Sequence, residues 1–105
     1  MNDTLLYADF SNTNLVDFHY HIDWQSWKES YIELVALGTA GKRRLRFLGV
    51  SNLRIDEGFS GSLSGMEIVD ISDHQWDSAQ IEVRNFEQDP GITFLALSME
   101  IVSDS

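Results

Sequence analysis

From Val16 to Trp24 the chain alternates without a break: Val16, Phe18, Tyr20, Ile22 and Trp24 form an apolar file, and Asp17, His19, His21 and Asp23 fill the positions between them. Side chains of an extended chain point alternately to opposite faces, so this period fits a strand with one dry and one wet side and does not fit a helix. Such a strand has to bury its dry side against a second layer. The rest of the chain supplies the material. "SYIELVALG" and "RRLRFLGV" are two further extended runs rich in branched and aromatic residues, separated by "TAGK". They read as a hairpin from Ser30 to Val50, with Tyr31 to Leu37 as strand and with Gly38 and Gly41 able to supply positive backbone angles at the turn. The second arm is expected to run on through Leu53 and Ile55.

"GFSGSLSG", residues 58 to 65, reads as a glycine and serine loop. The "MEIVDIS" that follows has apolar residues on both faces, which suits a central strand. "AQIEVRNFEQ" and "ITFLALSMEIV" flank Asp89-Pro90-Gly91 and read as a second hairpin, with Leu95, Leu97, Met99 and Ile101 expected as one continuous apolar file. One helical signal competes. Trp24, Trp27, Tyr31 and Leu34 recur at helical spacing, and Ser26 to Glu29 matches a capping box, so a short helical turn fits there too. The fold class that follows is all-β, or mostly β with one short helix, as an antiparallel sandwich or flattened barrel of about seven or eight strands. No repeat or linker interrupts the 105 residues, so a single domain over 1–105 is expected.

Charge is the least average property. Seventeen acidic against seven basic residues give a formal charge of −10. Between Arg54 and Arg84 lie Asp56, Glu57, Glu67, Asp70, Asp73, Asp77 and Glu82, and no Lys or Arg. Such a chain repels nucleic-acid phosphates and anionic lipid and speeds encounter with basic partners, although acidity also serves plain solubility. Four of the cations sit together at Lys42, Arg43, Arg44 and Arg46. They begin at a hairpin turn, and Arg44 and Arg46 share a strand face opposite Leu45 and Phe47, which marks a solvated outer face and not an RNA site. That stripe can meet carboxylates of its own neighbouring strand or another copy of the chain. "MNDTLLYADF" does not resemble a secretory signal and no stretch approaches a membrane span, so a cytoplasmic protein is the expectation. The absence of cysteine removes disulfides, thiolate zinc sites and a cysteine nucleophile.

Three chemistries can be weighed on particular residues. His19 and His21, two apart on a strand, have the separation from which two imidazoles can converge on one zinc, and His74 would make a third ligand for a zinc-dependent enzyme. Nothing in the sequence brings His74 to that strand, and the apolar file already accounts for polar neighbours, so a wet strand face is the plainer reading and no cofactor is assigned. Glu33 and Glu100 lie in otherwise apolar strands and are the candidates for a buried catalytic carboxyl, but edge positions or pairing with an arginine such as Arg84 explain them more simply. "GSLSG" departs from a nucleophile elbow because Leu63 stands at its centre, which leaves a loop. Among the aromatics, Trp24, Trp27, Tyr20 and Tyr31 are assigned to the core. Trp76, flanked by Asp73, His74 and Asp77, is the exposed candidate for an interface anchor or a sugar platform, or else a cap on the core.

"DWQSWKESYIELVALG", "KRRLRFLGVSNLRIDEG" and "GMEIVDIS" together resemble small β-rich bacterial proteins of unknown function, among them immunity proteins of polymorphic toxin systems. The resemblance lies in a Trp-containing turn, a hairpin and an "LRF..V..L.I" strand over residues 23 to 102. It implies a non-catalytic protein that binds and blocks a basic toxin through an acidic surface, with no catalytic residues to carry over. The expected contacts are Asp56, Glu57, Asp70, Asp73, Trp76 and Asp77. A His19/His21 zinc enzyme and a carbohydrate-binding β-sandwich are the alternatives.

Overall fold

The computed structural model describes residues 4–7, 10, 12–39, 41–72, 79–85 and 91–104, with 4–7, 103 and 104 described as backbone. Alternation there becomes nine strands: β1 (Thr4–Tyr7), β2 (Asn14–His21), β3 (Tyr31–Gly38), β4 (Gly41–Leu48), β5 (Ser51–Ile55), β6 (Met66–Asp70), β7 (Ile81–Asn85), β8 (Ile92–Ala96) and β9 (Ser98–Asp104). The helical alternative survives as one 3₁₀ turn, Trp27–Glu29. Two separate antiparallel sheets form, one in the order β1, β6, β7, β8, β5 and the other in the order β2, β3, β4, β9, so the fold is a sandwich and not a closed barrel. Among the described residues no helix is long and apolar enough to cross a membrane.

The core lies between the sheets. Ile32, Leu34 and Ala36 of β3 and Leu45 and Phe47 of β4 meet Ile68 of β6, Val83 of β7 and Ile92 and Phe94 of β8. Phe47 and Phe94 close the middle edge-on, their centroids 4.8 Å apart with the planes at 85°, the arrangement that aromatic quadrupoles favour. Leu63 of the glycine and serine loop is buried in the same cluster, so that loop is tied to the core by one side chain. A smaller cluster of Val69, Ile71 and Ala79 with Leu95 sits on the other side of the five-stranded sheet, which makes β6 a strand with apolar residues on both faces, as its sequence implied.

Both hairpins expected from the sequence are present as antiparallel pairs, β3 with β4 and β7 with β8; Asp89 and Pro90 of the second turn lie outside the described residues. Gly41 takes a positive φ of 120°. Gly38 serves differently, because a Cβ there would lie 2.8 Å from Thr13 Oγ1.

Three expectations are corrected. The runs 42–55 and 92–102 each read as one strand, but each crosses from one sheet to the other, and this raises the strand number to nine. The first break is at Gly49, with φ of +65°, and the second is at Leu97. The crossovers lie side by side, with Leu97 N–H donating to Leu48 O at 2.9 Å. A chain that changes sheet must re-aim its inward face, so the apolar file of the last run is split. Leu95 packs on the small outer cluster, Met99 packs on the main core, and Ile101 is 52% exposed. The β2 file is also shorter than it reads. The register with β3 shifts between Leu15 and Asp17, a bulge that leaves Val16 49% exposed while Leu15, Phe18 and Tyr20 face the core. Ile22 and Trp24 fall beyond the strand's end and stand 63% and 84% exposed.

Candidate functional site

Pairing places the polar file of β2 on the outer face of the four-stranded sheet. His19 is opposite Glu33, which is opposite Arg46, which is opposite Glu100; His21 is opposite Tyr31, which is opposite Leu48. Glu33 Oε1 accepts a hydrogen bond from Arg44 Nη1 at 3.2 Å. Its Oε2 lies 3.3 Å from Arg46 Nε, a charge contact whose angle makes no hydrogen bond. The basic stripe therefore meets a carboxylate of the neighbouring strand, and it is Arg44 and Arg46 that pair with Glu33. Arg84 engages Glu67 at 3.1 Å and Glu82 at 3.4 Å, and Glu100 is exposed on the edge strand β9.

His19 and His21 are exposed and turned to one aromatic neighbour. His21 stacks on Tyr31 with centroids 5.1 Å apart, and His19 is tilted against the same ring at 5.8 Å. Among the described residues no group of three or more His, Asp or Glu is placed to hold a metal ion. His74 lies outside those residues.

The acids that are contiguous in sequence do not share one surface. Asp70 is level with Ile81 and Ala96, whereas Asp56 follows Ile55, which pairs with Ile92. They belong to opposite ends of the five-stranded sheet with two strands between their own, about 20 Å apart by strand rise and spacing. Asp56 is a brace. Its Oδ2 accepts from Gly91 N–H at 3.1 Å and its Oδ1 pairs with Arg54 Nε at 3.1 Å. Asp70 Oδ1 accepts from Ser72 N–H at 2.8 Å, while Glu57 is exposed. Asp73, Trp76 and Asp77 lie outside the described residues.

The surface that departs most from expectation is the connection from β2 to β3. Ile22, Trp24 and Trp27 are exposed there, and the chain enters and leaves beside the paired His21 and Tyr31, with exposed Leu48 next in register. The connection is tightly made. Asp23 N–H donates to Ser30 Oγ at 2.9 Å, and Asp23 Oδ1 accepts from Gln25 N–H and Ser26 N–H, both at 3.1 Å. Ser26 is the N-cap of the 3₁₀ turn but makes no side-chain capping bond; Asp23 satisfies the backbone instead. Ser30 is buried and its carbonyl accepts from Gly49 N–H at 2.8 Å, fastening the connection to the crossover. The readable signal was Asp23. An Asp that closes a strand and binds the amides two and three residues on ends the period-two register at that point. The aromatic spacing pointed to the core and hid it.

At the same end of the sandwich a groove of about 430 Å³ is lined by Asp70, Ser72, Gln80, Ile81, Leu97, Ser98 and Met99. Asp70 is the one titratable side chain among these described lining residues. Comparison with protein-family models, curated proteins and solved structures found no match to this chain.

Proposed function

We propose that this chain is a non-catalytic, acidic interaction module that binds a basic protein partner, of the kind an immunity-type inhibitor would block. The observation that carries the reading is the way charge is distributed. The formal charge is −10, and the arginines are drawn onto carboxylates of the fold itself, Arg54 onto Asp56, Arg84 onto Glu67, and Arg44 and Arg46 together onto Glu33. What a partner meets is the excess of acids. Long-range attraction of this kind governs encounter rate and partner sign more than final affinity. The same charge opposes assembly of the chain with itself. Asp70, Asp73, Trp76 and Asp77 stay in this reading as contacts; Asp56 is assigned to the fold, and Glu57, which follows it at the opposite end of the sheet from Asp70, is withdrawn from the contact set.

A pull-down of the tagged chain from its source cells, with chelator present or absent and eluted with a salt gradient, tests the reading. A basic protein kept in chelator and released as salt rises is the expected result. A partner of neutral or acidic charge, or retention indifferent to salt, overturns it. Stoichiometric zinc whose removal abolishes activity would overturn it in favour of the His19 and His21 enzyme.

A further inference from the structure

We propose that Ile22, Trp24, Trp27 and Leu48 form the anchor of that interface, and that their occupant is an arginine-bearing segment of the basic partner. The inference rests on the reading above and adds the place and the side-chain chemistry.

Trp24 at 84% exposure is the starting point. A single exposed apolar residue is ordinary, but two tryptophans, an isoleucine and a leucine gathered around one sheet corner are a candidate contact surface, because Trp supplies large area at low entropic cost. The backbone that carries them is already fixed by Asp23, Ser30 and the 3₁₀ turn. Binding there does not have to order the loop, which removes one of the usual costs of association.

The chemistry of the occupant follows from the surroundings. Asp23 and Glu29 lie on the connection itself, against one cation, Lys28. On the sheet face that carries Leu48 the fold already holds a guanidinium against an aromatic ring, with Arg46 Cζ 4.9 Å from the Tyr31 centroid and its charge engaged by Glu33. The corner would offer an incoming arginine the same kinds of group, two exposed indoles on a connection that also carries Asp23 and Glu29. Arginine suits this better than lysine because its planar, weakly hydrated guanidinium stacks as well as pairs. A second copy of the chain would bring its own charge of −10 to an acidic surface. A neutral sugar can donate hydroxyl hydrogen bonds to the carboxylates but gains no charge attraction from them.

The test uses the full chain and defined probes. Peptides that alternate alanine with arginine, with lysine or with aspartate are titrated at low salt while tryptophan emission is followed, with a neutral oligosaccharide as a fourth probe. The arginine peptide is expected to bind most tightly. Trp24→Ala and Trp27→Ala should each weaken it roughly fivefold to tenfold, while Glu57→Lys at the opposite end leaves it nearly unchanged. Thermal unfolding checks that the variants are folded, and Trp24→Ala is the safer of the two because its side chain is almost wholly in water. Equal binding by wild type and Trp24→Ala sinks the surface and leaves the acidic module standing. No binding of any basic peptide to the wild type sinks both. Oligosaccharide binding lost in Trp24→Ala, or dimerisation in sedimentation lost in that variant, replaces arginine with a sugar or with a second copy and overturns the proposal.

Discussion

The Arg46 guanidinium carbon lies 4.9 Å from the centre of the Tyr31 ring, diagonally across β3 and β4, with His21 stacked on that ring from β2. A line of charge and aromatic side chains thus crosses three strands of the four-stranded sheet on its wet side, and Arg46 is its hinge because it also touches Glu33. Arg46→Met keeps the length of the side chain and removes the charge. Since these contacts are partly exposed, the loss is expected to be about 0.5 to 1 kcal/mol in urea unfolding, and smaller at high salt. An unchanged midpoint would mean that the line contributes nothing to stability.

Burial separates the aromatics into two kinds that composition does not distinguish. Phe47 is wholly buried against Phe94, and Trp24 stands in water. Phe47→Ala should therefore cost about 3 to 5 kcal/mol, enough to unfold much of a domain of this size. Trp24→Ala, although it removes a larger side chain, should change stability by less than about 0.5 kcal/mol. Chemical denaturation of the two variants side by side checks this. A large loss in Trp24→Ala would return that residue to the core, where its sequence spacing had put it.

That contrast marks how far the sequence was legible. Alternation in β2, β3 and β4 is a local property, so the strands, both hairpins and the outward Arg44 and Arg46 could be read from it. Gly49 and Leu97 could not, because a strand that changes sheet keeps its extended backbone and its apolar content on both sides of the break. Only the partner strands reveal it. The bulge at Val16 is hidden for the same reason, as it is a property of the pair β2 and β3. At the site, the solvated His19 and His21 followed from the period. The exposed corner at Trp24 did not, since an aromatic at the next position of an apolar file reads as core unless the turn made by Asp23 is weighed first.

The acids divide into those that hold the fold and those that face water, and Asp56 and Glu57 are adjacent examples of each. Asp56 binds Gly91 N–H and Arg54. Asp56→Ala leaves that amide without its partner and should cost about 1 to 2 kcal/mol, and Glu57→Ala should stay within about 0.5 kcal/mol. Thermal melts of both variants at low and high salt distinguish the two roles. Equal and negligible effects would release Asp56 from the brace and return it to the interaction surface.

Gly49 and Leu97 hold the two crossovers together, and their contact leaves no room for a side chain. A Cβ at Gly49 would lie 2.6 Å from Leu97 Cδ1, and the backbone there has φ of +65°. Gly49→Ala therefore meets two costs, about 1 to 2 kcal/mol for the left-handed conformation and a similar amount for overpacking. Gly61→Ala meets the first kind alone, because its φ is +108° and the nearest contact, Leu15 O, is an ordinary 3.6 Å away. The overpacking share can be isolated by placing Gly49→Ala in a Leu97→Ala background, where the methyl group has space. There the cost of Gly49→Ala should fall by about 1 kcal/mol or more, a coupling that a double-mutant cycle in urea reads directly. Additive costs would show that the two crossovers do not bear on each other, and the side-by-side packing would then contribute nothing to holding the sheets in register.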